Sequence, residues 1–536
     1  MKSLHGLRKV KSHWLIIILA FYFAFVLNLG FWQFVALRLE LSGGNMYLFA
    51  ASLLLLMLMF FVLFFSMLLI PVVGKPIIII LLLISSFANY AIYKLGIAID
   101  SVMIRNVFET HPQEASDFIT MSSVLWVMLT GVLPALLLAF CQIQYQPWRK
   151  ELSLRALFVL AGILIFGGIF MTSYKEYSSF FRNHNSAKRI LNPVSYINST
   201  ARYFQLLAQE KHEFVWLDRE AESGFPPERK NLFIFVVGEA ARGMNFSLNG
   251  YAKETNPLLS GQDIVNFRNA TSCGTSTAVS IPCMFSPLAR KEFNVDAAKY
   301  TQNLLDVFAI ADYEISWLDN NGCKGVCNRV RVQNVSRLKD KEHCEHSWCY
   351  DGVMLPLLEE EIKNQEKNKL IVLHMLGSHG PSYYQRYPEA FRKFTPTCDT
   401  ADIHKCSSEE ISNTYDNTIL YADHFVSSVI DIGKNYPDRD ITILYASDHG
   451  QSLGEGGVYL HGMPYAIAPQ EQKQIAFLLW FSELAGERID RVCLKEKARH
   501  ENISHDHIFH SILGSQRIKT SLFDPALDIF QGCYTK

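Results

Sequence analysis

Hydrophobic positions follow two different patterns along this chain. In the first third they run almost without interruption. Five segments, 14–36, 46–70, 77–98, 122–143 and 155–173, are apolar and nearly free of charge. About 20 such residues are what an α-helix needs to cross the hydrocarbon layer of a bilayer. Five transmembrane helices are therefore predicted in preference to helices buried in a soluble core. The first segment is too long for a cleaved signal, and no small-x-small site precedes a soluble chain. From about residue 231 the pattern changes. Apolar runs shorten to 232–237, 314–318, 370–376, 441–446 and 475–481, and helix-period stretches separate them. Short buried strands alternating with helices predict an α/β domain around a mainly parallel sheet.

Charge gives the membrane segments a direction. Lys2, Arg8, Lys9 and Lys11 precede the first span, and Lys75 lies between the second and third. Arg149, Lys150 and Arg155 lie between the fourth and fifth, whereas the alternate loops hold only Arg38 and Arg105. Positive loops stay cytoplasmic. The amino terminus is then cytoplasmic, and an odd number of spans puts everything after about residue 174 outside the cytoplasm. The cysteines test this independently. Cys141 sits in a span, while Cys273, Cys283, Cys323, Cys327, Cys344, Cys349, Cys398, Cys406, Cys493 and Cys533 all lie downstream. An even number confined to the exterior portion reads as a disulfide framework in an oxidising compartment. Local spacing suggests 273–283, 323–327, 344–349 and 398–406, leaving 493–533. A zinc ribbon from Cys323, Cys327, Cys344 and Cys349 is the alternative.

Three regions follow: a transmembrane domain over 1–174, a bridge over 175–230 and an exterior domain over 231–536. The bridge sets aromatics such as Tyr174, Tyr177, Phe180 and Tyr203 among charges. That suits helices lying along a bilayer surface, or else a linker packed on the exterior domain. With 50 basic and 51 acidic residues, the chain gives no reason to expect a nucleic-acid partner. A monomer is expected.

Candidate chemistry concentrates where the short strands end. Run 232–237 leads through Gly238 to Glu239, run 370–376 leads to Ser378-His379-Gly380, and run 441–446 leads to Ser447-Asp448-His449-Gly450. In open α/β sheets, ligands gather beyond the carboxyl ends of the strands. A single Asp-His pair says little, but three strands that deliver Glu, His and Asp-His, each beside a glycine, make a metal site credible. Thr271 to Ser280 is a small, hydroxyl-rich loop before a possible helix. One of its hydroxyls is a candidate nucleophile, activated by a metal and a helix N-terminus. Composition alone favours an N-cap and a Ser/Thr turn. Glu239, Asp448 and His449, with a hydroxyl as fourth ligand, make a tetrahedral set that zinc accepts, as manganese accepts oxygen-rich sites. The spacing of His505-x-His507-x2-His510 suits either a metal or a surface helix. His343, His346, His404 and His424 read as structural or solvated.

Five stretches carry a resemblance that covers essentially the whole chain. They are Val237-Gly238-Glu239 with Asn245 to Tyr251; Ser272-Cys273-Gly274-Thr275-Ser276-Thr277 through Pro282 to Ser286; Asp319-Asn320-Asn321 with Lys324-Gly325; Ser378-His379-Gly380-Pro381; and Ser447-Asp448-His449-Gly450 through His461-Gly462. Together they closely resemble the phosphoethanolamine transferases that modify lipid A, both the chromosomal and the mobile colistin-resistance enzymes. The resemblance implies five membrane helices in the bacterial inner membrane and a periplasmic domain of the alkaline phosphatase/sulfatase superfamily. It also implies Zn2+ as cofactor, phosphatidylethanolamine as donor and lipid A phosphate as acceptor.

By motif position, the resemblance makes Thr277 the nucleophile that becomes phosphoethanolamine-modified. It makes Glu239, Thr277, Asp448 and His449 the zinc ligands. His379 and His461 match a second histidine pair that contacts substrate phosphate or a further zinc, and either could move the proton. Thr275, Asn321 and Lys324 fall in substrate-contacting stretches, with Asn320 an alternative to Asn321 in a loop of variable length. Asn106, Thr110 and Glu114 fall where the lipid headgroup is held, with loop capping as the other reading. The implied reaction is ping-pong. Its product carries an added amine, which should weaken attraction of cationic peptides such as polymyxins. Two positions depart from the family: Ala240 replaces the usual threonine, and Gln451 a frequent glutamate. Neither removes a ligand. Related transferases acting on lipopolysaccharide core, a periplasmic glucan or teichoic acid remain the alternative. A sulfatase would need a Cys or Ser in a C/S-x-P-x-R setting, and Ser280-Ile281-Pro282-Cys283-Met284 lacks the arginine. A membrane-anchored scaffold with a dead enzyme fold is opposed by the retained ligand set.

Overall fold

A computed structural model describes residues 9–38, 44–109, 119–183, 185–208, 213–335, 338, 343–345, 348–401 and 403–535. Thr110 and Glu114, the headgroup candidates, lie outside the described residues, as do Lys2, Arg8 and His346. The chain divides into two compact units. One holds residues up to 104 together with 119–204, and the other holds 105–118 together with 205 onward.

The first unit is helical. Among the described residues its helices are α1 (Ser12–Phe21), α2 (Leu29–Arg38), α3 (Gly44–Leu68), α4 (Gly74–Leu95), α5 (Ser101–Glu109, which runs into the second unit), α6 (Met121–Val127), α7 (Leu133–Ala139), α8 (Trp148–Asn183) and α9 (Val194–Ala208). Among the described residues, four stretches are long and apolar enough to span a membrane: Tyr47–Leu68, Gly74–Leu95, Met121–Ala139 and Trp148–Ile169. The first predicted span is instead a bent pair, Ser12–Val26 and Leu29–Leu37, turning by 49°, and it makes five if counted as one span.

The bend has a local cause. A π-helical turn, Tyr22–Val26, ends α1, and side chains take up the carbonyls that the break releases. Asn28 Nδ2 donates to Phe23 O and Asn192 O, both at 2.9 Å, and Trp32 Nε1 donates to Ala24 O at 2.7 Å. A break inside a bilayer is tolerated only where the freed backbone groups are satisfied again. The basic residues that set the topology also cap helices. Arg155 donates to Ser66 O and Leu69 O at the end of α3, and Lys75 to Ala139 O and Cys141 O at the end of α7. A cation there satisfies orphan carbonyls and complements the helix dipole.

The second unit is built on a seven-stranded sheet. Its strands are β1 (Leu232–Gly238), β2 (Val265–Asn266), β3 (Glu314–Asp319), β4 (Arg331–Asn334), β5 (Lys369–His374), β6 (Ile441–Ser447) and β7 (Phe477–Phe481), in the order β2-β7-β6-β1-β5-β3-β4. The five strands from β6 to β4 are parallel, but β7 runs antiparallel to β6 and to β2. The sheet is thus mixed, where the sequence suggested a mainly parallel one. Every residue of β1, β5, β6 and β7 is buried, which is why they read as continuous apolar runs. The strands β6, β1 and β5, which lead to Asp448, Glu239 and His379, are neighbours at the sheet centre.

Helices pack on the sheet. They include α10 (Thr277–Met284), α11 (Leu304–Ile310), α12 (Met354–Lys363), α13 (Ser408–Lys434) and α14 (Asp506–Ser515). A capping box, Ser407 with Glu410, starts α13. Five disulfides join Cys273–Cys283, Cys323–Cys327, Cys344–Cys349, Cys398–Cys406 and Cys493–Cys533. These are the pairs that spacing suggested, and they leave no place for the zinc ribbon.

Candidate functional site

The centre of the sheet's carboxyl edge brings Glu239, Asp448, His449 and Thr277 together. Register explains the first three. Gly238 pairs with Ser447 across β1 and β6, so Glu239 and Asp448 leave the sheet side by side. Thr277 is the first residue of α10, following the N-cap residue Ser276. All four are buried.

Glu239, Asp448 and His449 each have one polar atom tied to neighbouring groups and one turned toward the centre of the cluster. Glu239 Oε2 accepts hydrogen bonds from Asn321 Nδ2 at 2.7 Å and Thr277 Oγ1 at 3.1 Å. Asp448 Oδ1 accepts from the amides of Ala240 at 3.0 Å and His449 at 2.7 Å. His449 Nδ1 donates to Gly450 O at 2.8 Å, which turns Nε2 inward. Glu239 Oε1 and Asp448 Oδ2 are buried without a hydrogen-bond donor. His449 Nε2 stands 3.3 Å from each of them and 3.4 Å from Thr277 Oγ1. The ligand atoms of Glu239, Asp448 and His449 lie within 4.8 Å of one another. Two buried carboxylate oxygens facing an imidazole nitrogen can hold a cation, by charge and by geometry.

Titration reflects the same crowding. Burial and the adjacent Glu239 push the Asp448 carboxyl up to about 7. Burial opposes the charge on His449, but Asp448 and Glu239 outweigh it and raise the imidazole to about 9. Burial likewise opposes ionisation of Glu239, yet His449 holds it well below its ordinary value.

The loops around this cluster are held from several sides. Gly377 has φ +50°, and a Cβ there would lie 2.7 Å from Glu239 O. Only glycine lets this turn pass so close. It leads to His379, whose ring centroid is 5.8 Å from that of His461. The His461 ring lies 4.3 Å from that of His449, and its Nδ1 donates to Gln451 Oε1 at 2.9 Å. Gln451 Nε2 in turn donates to Tyr383 OH at 2.6 Å. Gln451 therefore fixes the His461 ring with a neutral partner. Ala240 has φ +54°, and its carbonyl accepts from Tyr415 OH at 2.6 Å.

Other candidates fall into place individually. Asn321 reaches Glu239, whereas Asn320 Nδ2 donates to Cys349 O and Asp351 Oδ1. The Thr275 hydroxyl donates to Met463 O, and its carbonyl accepts from Gly462 N at 2.7 Å. Thr275 thus ties the loop before α10 to the loop carrying His461. Lys324 is half-buried in the loop after Asn321. Asn106 lies half-buried on α5.

The residue that sequence reasoning missed is His505. Fully buried, it donates from Nε2 to Ser447 O at 2.9 Å and accepts at Nδ1 from Cys273 N at 3.1 Å. It therefore bridges the loop of Thr277 and the strand end of Asp448. Burial lowers it to about 4, so it is neutral. The spacing with His507 and His510 drew attention to it for another reason. His507 accepts from Ser504 N and His510 from Asp524 N, so the three serve separate local bonds.

Comparison with known proteins follows this geometry. Residues 231–515 match the sulfatase family, and residues 57–207 match the family described as phosphoethanolamine transferase EptA/EptB. Phosphoethanolamine transferase EptA of Escherichia coli K12 is 38% identical over 528 residues, covering 97% of this chain and 96% of the relative. Phosphatidylethanolamine transferase Mcr-1 of Escherichia coli is 36% identical over 418 residues, covering 75% and 77%. The integral membrane lipooligosaccharide phosphoethanolamine transferase A of Neisseria meningitidis superposes with a TM-score of 0.95 at 37% identity, covering 99% of this chain and 100% of that one.

Proposed function

The chain belongs to the EptA family of phosphoethanolamine transferases, and from that premise we propose that it moves phosphoethanolamine from phosphatidylethanolamine to a phosphate of lipid A through a covalent intermediate on Thr277. As in that family, an amino-terminal membrane domain carries a periplasmic catalytic domain. The observation that carries the reading is the placement of Thr277. A hydroxyl at the start of a helix stands 3.1 Å from Glu239 Oε2 and 3.4 Å from His449 Nε2, beside two carboxylate oxygens that lack donors.

Glu239, Asp448, His449 and Thr277 would hold Zn2+. When bound, the ion supplies positive charge against the phosphoryl oxygens and lowers the pKa of a coordinated hydroxyl. In the first step Thr277 attacks as the alkoxide: Oγ1 forms a bond to phosphorus, and the bond from phosphorus to the diacylglycerol oxygen breaks. The helix N-terminus favours the negative charge that builds on Thr277. His461, oriented by Gln451, or His379 beside it protonates the departing diacylglycerol alkoxide. In the second step a lipid A phosphate oxygen attacks the same phosphorus, and Thr277 leaves. The histidine left neutral by the first step takes up the proton of the attacking phosphate, and Thr277 departs as the alkoxide that begins the next cycle. Lys324 offsets charge on the phosphoryl group. The modified lipid A carries less net negative charge, which weakens attraction of polymyxins.

Intact-protein mass spectrometry after incubation with phosphatidylethanolamine tests the first step. A phosphoethanolamine adduct on the wild type, mapped to Thr277 and missing from Thr277→Ala, is expected. No adduct on zinc-loaded wild type would refute the covalent route.

A further inference from the structure

Asp351 is a buried carboxylate that the transfer steps above do not use. It opens a short helical turn, Asp351–Val353, and that turn is held on both sides. Cys349 before it is joined to Cys344. Gly352 N after it donates to Tyr421 OH on α13 at 3.0 Å. The Asp351 side chain therefore projects from a fixed backbone.

Its two oxygens reach two different loops. Oδ1 accepts from Asn320 Nδ2 and Leu376 N, both at 2.8 Å, and Oδ2 accepts from Gly377 N at 2.9 Å. Leu376 and Gly377 belong to the turn after β5, and Asn320 opens the loop after β3. Both loops go on to meet Glu239. Ser378, next after Gly377, donates from its backbone N to Glu239 O at 3.0 Å. Asn321, next after Asn320, donates from Nδ2 to Glu239 Oε2 at 2.7 Å. One carboxylate thus grips the residue before a bond to the Glu239 backbone and the residue before a bond to its side chain. The residue type matters as well. Burying a carboxylate is costly unless hydrogen bonds meet it, and an ionised one accepts at both oxygens. Asparagine would have one oxygen and one NH2 group, so a donor would face a donor at one of the two loops.

We propose that Asp351 is a positioning residue for phosphoethanolamine transfer, fixing Glu239 by its backbone and its side chain at once. The proposal rests on the transferase reading above. The hydrogen bonds of Asp351 go to Asn320, Leu376 and Gly377, so it acts on Glu239 through those loops. Where they stand decides how Glu239 Oε1 faces His449 Nε2, at 3.3 Å, and how Oε2 meets Thr277 Oγ1, at 3.1 Å. Zinc affinity and the reactivity of Thr277 should therefore fall together when the grip is lost.

The test compares full-length wild type with Asp351→Asn in two readouts. One is zinc affinity in competition with a chromogenic chelator, and the other is the single-turnover rate of adduct formation on Thr277 from phosphatidylethanolamine. Asp351→Asn is expected to weaken zinc binding and to slow adduct formation, each on the order of tenfold, with the half-saturating donor concentration unchanged. Asn320→Ala removes one arm and leaves the carboxylate in place. It is expected to move both readouts the same way by a smaller factor, and it decides the matter if Asp351→Asn does not fold. A merely structural aspartate would lower the melting temperature but leave zinc affinity and adduct rate at wild-type values. That result, or a loss confined to the half-saturating donor concentration, would overturn the proposal and leave the transferase reading in place. Wild type that binds zinc but forms no adduct would refute the covalent transferase reading instead, and zinc affinity alone would then decide whether Asp351 positions Glu239.

Discussion

At the scale of single residues, the two oxygens of one carboxylate do different work. Glu239 Oε2 accepts hydrogen bonds from Thr277 and Asn321, whereas Oε1 faces His449 Nε2. The sequence makes Glu239 visible as a ligand candidate because a buried strand leads straight to it. It cannot divide the roles of the two oxygens, because Asn321 lies 82 positions away. His505 shows the same limit more strongly, since its partners Cys273 and Ser447 are 232 and 58 positions distant. Its bridge has a measurable consequence. A histidine held near 4 when folded and near 6.5 when unfolded favours the folded state fully above pH 6.5. That contribution, on the order of 3 kcal/mol, is lost as pH falls through about 4. His505→Phe breaks both hydrogen bonds. Thermal melting should therefore show wild type more stable than the variant by the widest margin above pH 6.5, with the gap closing toward pH 4. A gap independent of pH would mean that the imidazole acts through packing alone.

At the scale of elements, legibility followed burial. The strands β1, β3, β5, β6 and β7 stand within a few residues of the runs read from hydrophobicity, because burial on both faces leaves an unbroken apolar signal. The edge strands β2 and β4 left none. The first has two residues, and the second, Arg331–Asn334, is largely exposed. The reversed direction of β7 is also invisible, since an apolar run has no polarity. Likewise Asn28 was plainly polar within the first span, but its meaning depends on Asn192, 164 residues on. The turn after β5 carries a sharper test. Ser378 N donates to Glu239 O at 3.0 Å, so the turn through Gly377 presses directly on the ligand's backbone. Gly377→Ala adds a Cβ at 2.7 Å from that oxygen, in a backbone conformation with φ +50°. Destabilisation of about 1–3 kcal/mol is expected, with zinc content reduced and kcat lowered at least tenfold. Metal analysis and kinetics on the purified variant check this. Full zinc content with normal kcat would show that the turn can shift without moving Glu239.

At the scale of the whole molecule, the described residues of the two compact units form separate hydrophobic cores. One is drawn from the membrane helices, and the other from the sheet and the helices that pack on it. The five disulfides and the cation site all belong to the second. Separate cores unfold as separate cooperative units, so a scan of the detergent-solubilised protein should contain two transitions. An ion that binds only folded protein stabilises it by about 2.7 kcal/mol when free ion is one hundred times Kd. Chelation should therefore lower the transition of the periplasmic unit and leave that of the membrane unit in place, and added Zn2+ should restore it. Glu239 Oε1 and Asp448 Oδ2 are buried at the ends of the two central strands, so leaving them without a cation weakens the middle of the sheet. Glu239→Gln removes one of those charges, and it should abolish the response to chelator without abolishing the transition. A wild-type scan indifferent to chelator, on protein with measured zinc, would place the ion somewhere other than this cluster.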